Sequence, residues 1–142
     1  MPQLARAVVA SFHNGRNDKA HMPSDAEKNS GDLFIDLTDA NFKHAVIDSK
    51  KPFIIEIRAD WCGECFIMEA ILKQLAAEFS HQISFGYVNV DTNEEITKQF
   101  GVTELPLLMF FKEGELAHHC IGLRSRSSVR QQLVKIYMPV TP

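Results

Sequence analysis

Cys62 and Cys65, separated by two residues, are the pair whose chemistry the sequence has to explain. An apolar, strand-like run precedes them and a helix-like pattern follows, so Cys62 falls at the predicted start of a helix. Unpaired backbone N–H groups and the helix dipole favour negative charge there, and a thiolate is the species that attacks disulfides. Cys65 lies one turn deeper, where it can attack a mixed disulfide on Cys62. The spacing therefore favours redox chemistry.

Two other uses of this cysteine pair fit the sequence less well. Structural zinc takes four ligands, and the remaining candidates are His118, His119 and Cys120, which are consecutive in a predicted strand. Alternation sends His119 to the opposite face, so only a site of three cysteines and one histidine stays open as the metal alternative. A purely structural disulfide would close a very short loop, and short loops contribute little stabilisation. We expect no bound metal.

Composition and charge exclude several functional classes. The chain has 142 residues, of which 45% are hydrophobic and 23% charged, as in a single globular domain. A net charge of −3 does not favour nucleic acid, and no apolar run is long enough to cross a bilayer. Three cysteines do not make a secreted disulfide scaffold. We expect a cytoplasmic protein, with a periplasmic or other extracytoplasmic location as the alternative if the N-terminus is a targeting segment.

Residues 1–31 are expected to form an N-terminal extension, and residues 32–142 the folded domain. Residues 13–32 are rich in Asn, Asp, Ser, Gly and Pro, which is typical of a flexible arm. The apolar stretch at residues 7–10 is short and has no convincing cleavage site. We therefore predict a flexible or weakly helical extension, and a removed secretory signal remains the alternative.

Hydrophobic periodicity predicts the element order β-α-β-α-β-α-β-β-α. The predicted strands are 33–37, 53–59, 83–90, 106–111 and 116–122, and the predicted helices are 39–49, 65–79, 93–100 and 125–137. Strands and helices alternate at first and the last two strands form a hairpin. This order indicates an α/β fold with a central mixed sheet and helices on both faces.

Three segments of the sequence resemble the thioredoxin family, in the family's order and spacing. "KPFIIEIRADWCGEC" resembles the active-site strand and turn, "FGYVNVDTNEEITKQFGVTELPLLMFFKEGE" the third strand through the proline strand, and "IGLRSRSSVRQQL" the last glycine and helix. The resemblance covers about residues 33–138. It implies a thioredoxin fold and a thiol-disulfide oxidoreductase, without a bound cofactor, that reduces protein disulfides. It also implies disulfide-containing protein substrates and an upstream electron-donating reductase; we expect a monomer.

The resemblance assigns catalytic roles to three residues. Cys62 is the nucleophile and Cys65 is the resolving thiol. Glu56 falls where the family keeps a buried acid, so desolvation should raise its pKa and let it move a proton to or from Cys65. The alternative is that the Glu56 side chain reaches solvent or pairs with a lysine.

Five residues are expected to line the substrate-binding surface, three of them from the resemblance. Leu105 and Pro106 match the segment that carries the family's cis-proline, which faces the cysteines and offers backbone groups to an extended substrate. Gly122 is similar to a glycine that leaves room for substrate. Gly63 is expected to let the backbone tighten and to keep the reactive sulfur accessible, and Trp61 to shield one side of it.

Glu64, Arg58 and Tyr87 depart from the family pattern. Glu64 stands in place of the proline between the cysteines, Arg58 in place of an aromatic residue, and Tyr87 in place of a lysine near the buried acid. Glu64 opposes a thiolate on Cys62 and Arg58 supports one, so both are candidates for tuning its pKa. The sign of their combined effect stays open, and Glu64 as an ordinary helix-start acid is the alternative.

Phe66 and Leu107 are expected to add apolar surface to a rim that docks a protein partner. For Phe66, a place in the helix core is the alternative.

Two other functions stay open at this point. One is a partner-binding or chaperone-like module that uses the fold without catalysis. The other is a disulfide oxidase or isomerase in an oxidising compartment, which differs from a reductase in its potential and location.

Overall fold

The computed structural model describes residues 33–139. Its strands are β1 (Phe34–Asp36), β2 (Phe53–Arg58), β3 (Ser84–Asn89), β4 (Leu107–Lys112) and β5 (Glu115–Ile121). Its helices are α1 (Lys43–Asp48, with π-type hydrogen bonding), α2 (Gly63–Glu78), α3 (Glu94–Gln99) and α4 (Arg126–Tyr137). The predicted element order and α/β class are confirmed. The N-terminal extension predicted for residues 1–31 lies outside the described residues.

The five strands form one mixed sheet in the order β1-β3-β2-β4-β5. β2 pairs in parallel with β3 and antiparallel with β4, and β5 forms a hairpin with β4. The sequence explains the central position of β2, because five of its six residues are buried and a nearly continuous apolar strand must be covered on both faces.

Alternation along β2 divides the interior into two apolar layers. Ile55 and Ile57 face the layer covered by α1 and α3, whereas Ile54 faces the layer covered by α2 and α4. Helices therefore cover both faces of the sheet, as predicted. Because side chains alternate along a strand, Glu56 and Arg58 lie on the same face as Ile54, beneath α2.

Helix α2 carries the second cysteine and packs on the sheet through one apolar stripe. Its inward residues Met68, Leu72 and Leu75 are fully buried, in the i, i+4, i+7 spacing of a helix face. Ile67, which fits the same helical rhythm, is 53% exposed and lies off this stripe. Within residues 33–139, no helix is long and apolar enough to cross a membrane.

Candidate active site

Cys62 and Cys65 lie at the first turn of α2 and are joined by a disulfide bond. Cys62 is the N-cap of the helix, and its Sγ accepts a hydrogen bond of 3.1 Å from the backbone N–H of Cys65. The two residues differ in accessibility, because Cys62 keeps 8% of its surface exposed and Cys65 keeps none. An incoming molecule therefore reaches Cys62 before Cys65.

The segment before β4 packs against the disulfide. Leu105 contacts the small apolar cluster formed by Ala59 and the two cysteines, and the Leu105–Pro106 peptide bond is cis, as the resemblance implies. The carbonyl oxygen of Pro106 accepts a hydrogen bond of 2.8 Å from the N–H of Gly122. Gly122 has a φ of 97°, which favours glycine, and a Cβ added there would meet no described atom within 4 Å.

Trp61 and Gly63 flank Cys62 on the surface. The indole of Trp61 is 70% exposed, and its Nε1–H donates a hydrogen bond of 3.0 Å to Oδ2 of Asp91. Sequence reasoning missed Asp91, although its place directly after a strand that leads to the active-site edge was visible. Gly63 does not have a left-handed φ, and a Cβ there would meet no described atom within 4 Å. The role expected of Gly63, to let the backbone tighten and to keep the reactive sulfur accessible, stays a prediction.

Glu56 is fully buried in the centre of the sheet, opposite Tyr87 of β3 and Leu108 of β4. Neither of its carboxylate oxygens has a hydrogen-bond partner among residues 33–139. Burial, reinforced by the negative charge of Glu69 and opposed by the positive charge of Arg58, raises the pKa of Glu56 to about 8. The expected rise is confirmed, and the alternative of a solvent-reaching side chain is wrong.

The two candidate tuning residues occupy very different environments. Glu64 is exposed in the first turn of α2. Arg58 is largely buried, and its nearest charged atoms belong to Glu69, at 3.6 Å, and Asp60, at 3.7 Å. The positive charge of Arg58 thus interacts with one carboxylate of α2 and one in the turn before it.

The apolar rim expected around the site is only partly present. Phe66 is 48% exposed, so it belongs to the surface and not to the helix core. Leu107 is buried in the layer under α1 and α3, and its expected place on the rim is wrong. Trp61, Phe66 and Ile67 are exposed apolar residues around the start of α2, and the exposed Ile121 and Leu123 flank Gly122.

The strand that carries two adjacent histidines and the third cysteine lies at the edge of the sheet. The ring of His118 packs against Phe110, and Cys120 packs partly into the layer under α2 and α4. Burial and the charge of His119 lower the pKa of His118. Within the described part of the chain, no group of three or more His, Cys, Asp or Glu side chains is placed to hold a metal ion.

Comparison with known proteins agrees with this geometry. Residues 33–135 match the family model described as Thioredoxin. The chain belongs to the thioredoxin family. It is 36% identical over 100 residues to a thioredoxin of Alicyclobacillus acidocaldarius, an alignment that covers 70% of this chain and 94% of that protein. It is 31% identical over 99 residues to thioredoxin 1 of Synechococcus elongatus, covering 70% of this chain and 92% of that protein.

Another relative joins two functions in one chain. The bifunctional thioredoxin reductase/thioredoxin of Mycobacterium leprae is 31% identical over 106 residues, which cover 75% of this chain and 23% of that protein. Family membership and the adjacent cysteine pair together make this thioredoxin-family chain a thiol-disulfide oxidoreductase that reduces protein disulfides.

Proposed function

We propose that Cys62 is the attacking residue of this reductase and Cys65 the resolving one. In the reduced protein, the Cys62 thiolate attacks one sulfur of a substrate disulfide. A bond forms between Cys62 Sγ and that sulfur, the substrate S–S bond breaks, and the other substrate sulfur leaves as a thiolate. The observation that carries this assignment is the difference in exposure between a helix-capping Cys62 and a fully buried Cys65.

The second half of the exchange releases the substrate. Cys65 gives its proton to the Glu56 carboxylate, and the resulting thiolate attacks Cys62 Sγ. The mixed disulfide breaks, the remaining substrate sulfur leaves as a thiolate, and the protein is left with the Cys62–Cys65 disulfide. One electron pair has passed from the dithiol to the substrate.

Glu56 works in the opposite direction when the protein is reduced again. With a pKa raised to about 8 in this disulfide form, Glu56 carries a proton at neutral pH. When a donor thiolate attacks Cys62 Sγ, Cys65 is the leaving group and can take that proton from Glu56. A buried acid that titrates near neutral pH is suited to both directions of transfer.

The substrate strand is proposed to lie across Leu105, Pro106 and Gly122, with Trp61 beside it. Support comes from the contact of Leu105 with the cysteine cluster and from the open space above Gly122 and Gly63. The exposed Phe66 side chain would extend the same surface with an apolar contact.

The upstream donor is proposed to be a reductase of the kind that the Mycobacterium leprae relative carries in its own chain. We propose that this exchange takes place in the cytoplasm, where thiols are kept reduced, and that the protein acts as a monomer. A sedimentation measurement at micromolar concentration tests the second point, since a dimer mass would contradict it.

Reduction of insulin disulfides, followed by the turbidity of the precipitating chain with dithiothreitol as donor, tests the assignment of Cys62. The wild type should accelerate precipitation and Cys62→Ser should not. Cys120→Ser is the matched control, because it removes a thiol outside the site and should keep the activity. Equal rates for wild type and Cys62→Ser would contradict the assignment.

A further inference from the structure

Arg58 is held between β2 and α2 by contacts on several sides. Its guanidinium carbon lies 4.5 Å from the ring centroid of Tyr87 and 5.6 Å from that of Phe66. Only 12% of its side chain is exposed. A cation that is stacked and buried in this way has a fixed position beside Glu56, its neighbour two residues earlier on the same strand face.

Glu69 supplies the opposite charge from α2. Its Oε1 lies 3.6 Å from Nε of Arg58, too far for a hydrogen bond but close enough for a strong charge interaction in a buried setting. Its Oε2 lies 3.3 Å from Nζ of Lys73, whose side chain is 55% exposed. Glu69 also follows Cys65 by four residues, so it lies one helical turn above the resolving sulfur on the same face.

Few other charged or titratable groups approach this layer in the described part of the chain. β3 contributes Tyr87, β5 contributes His118 and Cys120, and the turn before α2 contributes Asp60. α4 contributes Tyr137 beside the apolar Val129 and Leu133. Among residues 33–139, Glu69 and Arg58 are the charged groups that act on the ionisation of Glu56. Lys73 is bound to Glu69, and Asp60 is 77% exposed.

We propose that Arg58 and Glu69 form a buried ion pair whose two members act as positioning residues, with opposite signs, on the charge of Glu56. Glu69 holds the cation in place from α2, and Arg58 offsets the field that the Glu69 carboxylate exerts on the sheet. Neither residue touches the reacting sulfurs in this role. At position 58 the resemblance expects an aromatic residue, which carries no charge. The Arg58–Glu69 pair therefore depends on a position at which this chain departs from the family pattern.

The expected signs follow from electrostatics. The negative charge of Glu69 makes ionisation of Glu56 harder and the positive charge of Arg58 makes it easier. Removing one member should therefore move the titration of Glu56 in one direction, and removing the other should move it in the opposite direction. The consequence for exchange rests on the proposed role of Glu56 as the proton carrier of Cys65.

The test is a titration of the Glu56 carboxyl by carbon NMR in the oxidised, full-length protein. Glu69→Gln should move the Glu56 midpoint down by roughly one pH unit, because a like charge is removed without a change in size. Arg58→Met should move it up by a similar amount, roughly one pH unit. The double variant should return most of the way to the wild-type midpoint, because the two effects have opposite signs.

Glu78→Gln is the matched control, since it removes one carboxylate from the same helix at a site that pairs with Arg126 and Arg130 of α4. The proposal would be overturned if the Glu56 midpoint in both Glu69→Gln and Arg58→Met were the same as in the Glu78→Gln control. If the midpoints move as expected but the pH profile of insulin reduction does not follow them, the ion pair stands and the role of Glu56 in exchange fails. The conservative Glu69→Gln change keeps the test valid if Arg58→Met does not fold.

Discussion

At the scale of single residues, the two cysteines of the site have different surroundings, and so do the two glutamates Glu56 and Glu69. Cys62 caps a helix and keeps some exposure, whereas Cys65 is sealed one turn deeper. Glu56 is fully buried without a hydrogen bond from residues 33–139, whereas Glu69 reaches a surface lysine. The difference in burial supports the proposed order in which the two sulfurs react, and burial raises the pKa of Glu56.

The buried Glu56 should make folding stability depend on pH. Its pKa is raised from 4.5 to about 8, so between these values the folded chain keeps a proton that the unfolded chain has released. The stability from this proton is fully present below about pH 4.5 and is lost as the pH rises through about 8. The loss amounts to at most roughly 5 kcal/mol, at about 1.4 kcal/mol for each pKa unit.

Urea unfolding of the wild type and Glu56→Gln at about pH 5, 7 and 9 measures this dependence. The free energy of unfolding of the wild type should fall relative to that of Glu56→Gln as the pH rises. Parallel pH curves for the two proteins would show that Glu56 titrates alike in the folded and unfolded chains, contrary to its burial.

At the scale of elements, the position of the edge strand β1 depends on the close approach of its backbone to that of β3. A Cβ on Gly86 of β3 would lie 2.7 Å from the carbonyl oxygen of Ile35 in β1 and 3.0 Å from Cδ1 of Leu37. Because the nearest atom belongs to the backbone, β1 would have to move. The glycine is therefore needed for the packing of β1 on β3.

Gly86→Ala should destabilise the protein by roughly 2–3 kcal/mol, in the range of an overpacked core. Hydrogen exchange should show the loss of protection concentrated in β1. Gly63→Ala is the control, since its added Cβ meets no described atom within 4 Å, and it should change the free energy of unfolding by less than about 1 kcal/mol. A loss of stability in Gly63→Ala equal to that in Gly86→Ala would contradict the steric argument.

Most of the elements could be predicted because their periodicities are regular, but the details of the site depend on which neighbour covers each face. Ile67 fits the helical rhythm yet is exposed, because periodicity does not say where the covering sheet ends. Leu107 is buried because alternation along β4 turns it toward α1 and α3. The pairing of Arg58 with Glu69 joins a strand to a helix, and nothing in the local sequence of either element specifies it.

At the scale of the whole molecule, the fold places the Cys62–Cys65 disulfide beyond the carboxyl end of the central strand β2, in a sheet covered on each face by a largely apolar layer. A reductase can reduce a substrate disulfide only if its own Cys62–Cys65 disulfide is the harder of the two to reduce. We expect a reduction potential near the thioredoxin value of about −270 mV. Equilibration with glutathione buffers measures it, and a value near −120 mV, typical of a strong oxidant, would contradict the direction of the reaction.

Capture of the mixed disulfide tests the division of labour between the two cysteines most directly. Cys65→Ser cannot resolve the intermediate, so incubation with a disulfide peptide should leave the peptide attached to the protein, and peptide mapping by mass spectrometry should place it on Cys62. Cys62→Ser should attach no peptide beyond the background of a Cys62→Ser/Cys65→Ser double variant, which also accounts for Cys120. The account would be contradicted if Cys65 of the Cys62→Ser variant captured the peptide as fast as Cys62 of the Cys65→Ser variant does.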